Sequence, residues 1–302
     1  MEGGAAYTVS LVGLDGRVAA TATGAKRTIG TLVQMPNISA SDSRVYYLDG
    51  NSKVMFLRPD GTTGLATNIP LPSNSAAVFA VSPDDLRIAV AVITFPFPAT
   101  TRIYVENLAG GGNHFDLFSS STVIEWPVGW HQGHLVIGVG INVPPQNAYE
   151  GFAYAFRGYH VADPATGTRI ATVCDGYDAS GPPVPAGTVC VNYPNYEVSD
   201  WSGATRPAPS DGGCGGGALS PDGALIAVCG PTGVTLVARD GTTVTTPYGA
   251  TDLGWMDPTH VVIHLVTHLD DDSSLTILDI RSMGVTPIQT IGFFGGTIPG
   301  GL

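Results

Sequence analysis

Apolar runs along this chain are short, of strand length, and each is closed by a cluster of Asp, Gly, Ser, Pro or Thr. Two patterns recur. In the first, an apolar run, a Ser or Trp and a polar turn lead into a strongly apolar run: NISASDSRVYYL, AVSPDDLRIAVAV, VGWHQGHLVIGV, ALSPDGALIAVCG and LGWMDPTHVVIHLV. Aligned on the turn, these five segments put Ser39, Ser82, Trp130, Ser220 and Trp255 in one column. The second pattern joins two β-rich runs through an Asp or Gly turn, as in VSLVGLDGRVAAT, VMFLRPDGTTGLAT, YHVADPATGTRIATV and TLVARDGTTVTT, with looser copies in RIYVENLAGGGNHFDLF and LTILDIRSMGVTPIQTI. Asp-Gly between alternating apolar residues is a strong hairpin signal, because Gly accepts the positive φ that the turn demands.

Five copies of the first pattern alternate with six of the second, so each unit reads as four strands, an inner pair followed by an outer hairpin. A repeat of roughly 40 to 50 residues built from four strands points to a radial array of blades. The pattern therefore predicts an all-β fold, a six-bladed β-propeller of four-stranded antiparallel blades, with seven blades as the alternative, in one domain over 1–302. The chain begins with an outer hairpin around Tyr7 to Thr23, and Phe293 to Leu302 is placed to complete that first blade. Spacing is near 45 between the Asp15 and Asp60 turns but about 75 between those at Asp163 and Asp240, so an insertion of roughly 30 residues is expected there. Residues 176–212, rich in Pro, Gly, Ser, Tyr and Asn with no sustained period, read as a long surface loop, with a seventh, degenerate blade as the rival reading of the stretch. A second excursion, INVPPQNAYEGFAYAF, is too long for a tight turn and should project from one rim.

Composition agrees with many short strands. Charged residues are 13%, while Gly reaches 40 and Pro 23, which suits tight turns and disfavours long helices. The net charge of −12 with only 13 Lys and Arg leaves no basic face to neutralise a phosphate backbone, so nucleic acid is excluded as a partner. Cys174, Cys190, Cys214 and Cys229 allow three pairings. Local pairing would close loops in which a disulfide contributes about 3 kcal/mol and would staple the expected 176–212 loop to the blades. Buried free thiols are the competing reading, and no C-x-x-C spacing supports a metal. Disulfides imply an oxidising compartment. Met1-Glu-Gly-Gly lacks the basic and apolar regions of a signal peptide, and the longest apolar stretch, around Leu135 to Val143, falls far short of the roughly 20 residues of a membrane span. A secreted or envelope-anchored protein is expected, its signal or anchor lying outside this sequence.

The phrases SPDD at Ser82–Asp85 and SPDG at Ser220–Gly223, followed by LRIAV and ALIAV, resemble the repeat of TolB-type propellers, relatives of the WD-repeat class. The resemblance spans most of the chain at blade level but only two copies carry the motif cleanly. It implies the fold and a role in interaction or ligand presentation, with no catalytic residues to transfer.

Candidate chemistry is sparse. His260, His264 and His268 fall in a β-branched run after Pro258, hence on a strand, where neighbours four apart are roughly 13 Å from each other and cannot share one metal. Asp270, Asp271 and Asp272 form the densest charge run. They lack the spacing of an EF-hand loop and read as a solvated turn, with weak calcium binding the alternative; no other cofactor is expected. Trp255 is assigned to packing between blades. Trp130 lies close to Trp126, His131 and His134 and could mark the rim of a channel. Aromatic residues crowd the two excursions: Tyr149, Phe152, Tyr154, Phe156 and Tyr159 in one, Tyr177, Tyr193, Tyr196 and Trp201 in the other. Such residues in loops either pack on the body or meet a partner, and the candidate contact set is Trp130, His131, Tyr149, Phe152, Tyr154, Tyr196 and Trp201.

No catalytic residue is assigned, since the nucleophile elbow, zinc-protease and phosphate-loop motifs are absent. The preferred reading is a non-enzymatic extracytoplasmic binding module, the outer domain of an anchored envelope protein being one form, that presents an aromatic loop face to a protein or glycan. The alternative is a secreted hydrolase or lyase acting on a polysaccharide or ester at the channel mouth, using His131, His134 or a pair among Glu125, Glu150, Glu197 and Asp200.

Overall fold

The computed structural model describes residues 6–29, 38–110, 112–143, 156–192, 194–208, 217–230, 233–265, 275–290 and 301–302, and every regular element among them is a β-strand. A hairpin of β1 (Ala6–Val12) and β2 (Val18–Ala25) comes first. Six four-stranded blades follow. Blade 1 holds β3 (Ile38–Ala40), β4 (Val45–Asp49), β5 (Lys53–Leu57) and β6 (Thr63–Asn68). Blade 2 holds β7 (Ser75–Val81), β8 (Arg87–Thr94), β9 (Thr100–Asn107) and β10 (Phe115–Ser120). Blade 3 holds β11 (Val123–His131), β12 (His134–Ile141), β13 (Tyr159–Ala162) and β14 (Arg169–Val173). Blade 4 holds β15 (Asp178–Val184), β16 (Gly187–Asn192), β17 (Asn195–Ser199) and β18 (Thr205–Pro207). Blade 5 holds β19 (Gly217–Leu219), β20 (Leu225–Val228), β21 (Thr235–Ala238) and β22 (Thr243–Thr245), and blade 6 holds β23 (Ala250–Asp257), β24 (His260–Leu265), β25 (Leu275–Asp279) and β26 (Gly284–Pro287). Each blade is an antiparallel meander in chain order.

Burial explains why these runs are strands in a ring. Every residue of β7, SAAVFAV, is buried, whereas all of β22, TVT, is exposed. Alternate residues of β7 serve two different cores: Ala77, Phe79 and Val81 pack with Tyr46, Leu48 and Val54 of blade 1, while Ala76, Val78 and Ala80 share a core with Trp130 and Leu135 of blade 3. A strand covered on both faces must be apolar throughout, and so loses the simple alternation of a half-buried strand. Further cores join blades 4 and 5 through Val189 and Ile226, and blades 5 and 6 through Leu236 and Trp255. Val9, Ala20 and Ala22 set the first hairpin on Tyr47 and Leu57 of blade 1.

The six-bladed architecture is the one expected, but its blades are assigned differently. The stretch 176–212, expected as a surface loop with a degenerate extra blade as the rival reading, contains all of blade 4, one of the six. The hairpin counted as part of a blade is a two-stranded sheet. The described end of the tail, Gly301 and Leu302, does not join that hairpin but bonds to Trp130 and His131 of blade 3. The repeat column also shifts, because hairpin lengths differ. Ser82 and Ser220 bond to positions five residues on, Arg87 and Leu225, while the residue that plays this part in blade 1 is Ser41, bonded to Arg44, and not Ser39.

Two contacts lock neighbouring blades. Cys174, just after β14, is disulfide-bonded to Cys190 in β16, tying blade 3 to blade 4; Cys229 is disulfide-bonded as well, and Cys214 lies outside the described residues. In the turn between β7 and β8, Asp85 accepts hydrogen bonds from Ser43 Oγ at 2.5 Å and Tyr46 Oη at 2.8 Å and lies 3.3 Å from Arg44 Nη2, all in blade 1. Partial burial works against its negative charge, but the hydroxyl bonds and Arg44 outweigh it and hold the carboxyl below its usual range.

Both locks are measurable. Removing the disulfide with Cys174→Ser and Cys190→Ser should cost about 3 kcal/mol and lower Tm by roughly 5 °C or more in calorimetry. Asp85 has a positive φ of 62°, a region Asn also tolerates, so Asp85→Asn removes the charge with little backbone cost. A carboxyl with a depressed pKa stabilises the fold above its unfolded value near pH 4 and loses that contribution as pH falls through its folded value. The Tm gap between wild type and Asp85→Asn should therefore be full at pH 6 and close below about pH 4; a gap unchanged by pH would remove Asp85 ionisation from the account.

Candidate functional site

An up-and-down meander sends the first and third turns of every blade to one end, the first face, and the second turns and blade-to-blade connections to the other, the second face. The first face carries the Ser-Pro-Asp turns. Ser82 Oγ donates to Asp84 Oδ1 at 2.6 Å and accepts from the Arg87 amide at 2.9 Å, and Ser220 repeats both bonds with Asp222 and Leu225 at 2.7 and 2.9 Å. The motif is thus a self-contained hairpin closure, in which short polar side chains satisfy the turn backbone. It accounts for the resemblance in structural terms and supplies no reactive group.

At the first-face end of β11, Trp130 is 1% exposed. Its indole Nε1–H donates to Ala80 O at 3.2 Å, and the Arg87 guanidinium lies 4.7 Å from its ring centroid. Trp201 is 3% exposed and donates to Val184 O at 3.0 Å. Neither indole presents a surface to a partner; both wedge a blade against the one before it, the role also found for Trp255 in the core between blades 5 and 6. His131 remains half-buried, 6.3 Å from the Trp201 ring. Its neighbour Asp200 is partly buried, which disfavours charge, but bonds from Ser202 and the Ala204 amide, with His131 nearby, hold its carboxyl below the usual range.

An aromatic column fills the seam between blades 3 and 4. Trp126 meets Phe156 at 5.2 Å, Phe156 meets Tyr159 at 5.2 Å, and Tyr159 meets Trp201 edge-on at 5.5 Å. Gly138 makes this column possible, since a Cβ there would fall 2.2 Å from the Phe156 ring. Phe156 and Tyr159, read in the sequence among the excursion aromatics, are therefore core residues, at 1% and 0% exposure.

The second face over blades 2 and 3 is different. The connection from β8 to β9 is Phe95-Pro96-Phe97-Pro98, with both X-Pro bonds cis. The two phenyl rings meet edge-on at 5.4 Å and are only partly buried, and both prolines are exposed. At the same end of the molecule, where β12 finishes, Ile141 and Val143 stand 51% and 50% exposed. Asn142 fixes this rim: it accepts from the Ala99 amide at 2.7 Å and donates to Ala99 O at 2.7 Å and Ser121 O at 2.9 Å. The aromatic excursion leaves β12 here and re-enters the described chain at Phe156. Tyr149, Phe152 and Tyr154 lie outside the described residues, and Tyr196 packs on the core between blades 4 and 5. Of the described members of the candidate set, Trp130, His131 and Trp201 thus lie at the first face and Tyr196 on the core between blades 4 and 5. The FPFP segment went unread because it lacks the Asp or Gly of the other turns; paired phenylalanines between prolines in a strand connection were the available signal.

Among the described residues, the candidate carboxylates are not brought together. Glu125, 2% exposed near the second-face end of β11, lies 3.4 Å from His160 Nδ1 on β13 of the same blade. Asp200 sits in a first-face turn, Glu197 is on β17, and Glu150 lies outside the described residues. His260 pairs with Asp257 at 2.8 Å on the expected strand; His268 and Asp270 to Asp272 lie outside the described residues. Among the described residues, no group of three or more His, Cys, Asp or Glu could hold a metal ion, and no helix is long and apolar enough to cross a membrane.

Neither a family model nor a curated protein matches the chain. Solved structures do. An oligogalacturonate lyase from Vibrio parahaemolyticus superposes with a TM-score of 0.55 at 10% identity over 82% of this chain and 78% of the lyase. A chain of the mitotic checkpoint complex gives 0.52 at 13% identity over 89% and 84% of the two chains. A puromycin-hydrolysing peptidase of Mycobacterium tuberculosis gives 0.54 at 14% identity over 94% of this chain and 51% of the peptidase. The shared feature is the propeller. At these identities it carries no activity across, and the chain spans about half of that peptidase.

The rim depends on Asn142. Asn142→Ala leaves the buried Ala99 amide and carbonyl without that partner and should cost about 2–3 kcal/mol, with hydrogen exchange accelerating in residues 95–99 ahead of blades 5 and 6. Uniform acceleration over all blades would mean that Asn142 serves global stability alone.

Proposed function

We propose that this protein is a non-catalytic extracytoplasmic binding module whose second-face rim over blades 2 and 3 docks a protein partner. The observation that carries the reading is the grouping of Phe95, Phe97, Ile141 and Val143 on one partly exposed rim, held by Asn142 at the point where the aromatic excursion departs. Rigid aromatic and proline side chains give a large contact area at low entropic cost, and contiguous apolar surface of this kind marks interaction sites. The acidic balance of the chain opposes nucleic acid, and the Cys174–Cys190 disulfide supports residence in an oxidising compartment. Such a module is either secreted or the outer domain of an anchored envelope protein.

The test is capture from a native envelope or secreted fraction with immobilised protein, comparing wild type with Phe97→Asp/Ile141→Asp. The partner recovered by wild type should fall at least about tenfold with the variant, while the variant keeps a cooperative thermal transition that shows it folded. Equal recovery by both proteins would remove the rim from the interface. Binding to a glycan array that depends on Phe97 would transfer the reading from protein to sugar.

A further inference from the structure

We infer that a second binding site, specific for a peptide segment containing a Gly-Leu pair, lies at the first-face end of β11 and is occupied in cis by the chain's own Gly301–Leu302. It is independent of the second-face reading. The innermost strand of a blade has one edge outside its own sheet, and among the described strands β12 is the one neighbour of β11 in its sheet. An unpaired strand edge is a ready template for another backbone. Leu302 uses it, its amide donating to Trp130 O at 2.7 Å. The Leu302 carbonyl oxygen can only accept, so His131 Nδ1, 2.7 Å away, is the protonated ring nitrogen and donates to it.

Side-chain space is equally defined. A Cβ on Gly129 would lie 2.8 Å from both Cγ and Cδ1 of Leu302, so the absent side chain at Gly129 is the floor on which the leucine rests. Gly301 has a φ of +81°, and a Cβ there would meet Trp130 O at 2.7 Å and Pro83 Cγ at 2.8 Å. The residue before the leucine must therefore be glycine, both for its backbone and for its clearance. Pro83 comes from the Ser-Pro-Asp turn of blade 2, so the seat spans two blades. Its central carbonyl is held in place because the Trp130 indole is clamped by Ala80 O and Arg87. One acceptor, one donor, an aliphatic floor and a glycine-only clearance together select a short apolar peptide over a charged one, which would bring an unpaired charge onto Gly129.

A tethered occupant competes at an effective concentration of about 1 mM, so an external peptide should bind well only when the tail is displaced. Leu302→Asp vacates the seat without removing any residue. Titrated with a fluorescent Pro-Gly-Gly-Leu peptide, it should bind saturably, wild type at least about tenfold more weakly, and Leu302→Asp/Gly129→Val not at all. Absence of saturable binding to folded Leu302→Asp up to about 5 mM peptide, or equal binding of a Pro-Gly-Gly-Asp peptide, would overturn the proposal. Should Leu302→Asp fail to fold, Gly129→Val in the otherwise native chain gives the answer by hydrogen exchange. The Leu302 amide should exchange at least about tenfold faster than in wild type, and an unchanged rate would overturn the proposal equally.

Discussion

A single four-stranded sheet cannot hide two apolar faces by itself, and everything in this molecule follows from the way neighbouring blades hide them for one another. Alternate residues of β7 serve the cores with blade 1 and with blade 3, so blade 2 needs both of its neighbours. The burial is made efficient by size matching. Alanines at 76, 80, 89 and 91 leave room on blade 2 for the Trp130 wedge of blade 3, and Gly138 leaves room for Phe156. Large side chains set against small ones across a seam give close packing without strain.

Where each blade repeats the same physics, the sequence displays it. The Ser-Pro-Asp closures of blades 2 and 5 and the Asp-Gly turns of the outer hairpins are local, because the residues that satisfy the turn backbone lie within five positions of it. Blade 4 was illegible for the converse reason. Its first strand, DASGPPV, breaks register between Ser180 and Val184, and its prolines erase the β pattern. They are tolerated because β15 is an edge strand of its sheet, where a missing amide costs no ladder bond. Pro127 lies beside a similar register shift in edge strand β11.

The candidate site was half visible for a related reason. Aromatic residues announce themselves in a sequence, but whether an aromatic side chain is a wedge or a contact depends on the blade across the seam, which no local pattern reports. Trp130, Trp201, Phe156 and Tyr159 resolved as wedges. Phe95 and Phe97 resolved as rim because a proline-punctuated connection cannot continue either strand. The two faces then divide the labour: the first is built from polar turns and a seat filled by the chain's own tail, the second from a pinned apolar rim.

Native-state hydrogen exchange resolved by segment tests the radial packing most directly. Amides of β16 and β17, read in sequence terms as loop, should exchange as slowly as those of β20 and β21 in the adjoining blade, because both pairs share one buried core. Exchange of residues 187–199 at rates typical of a solvated loop, with blades 3 and 5 still protected, would contradict the account.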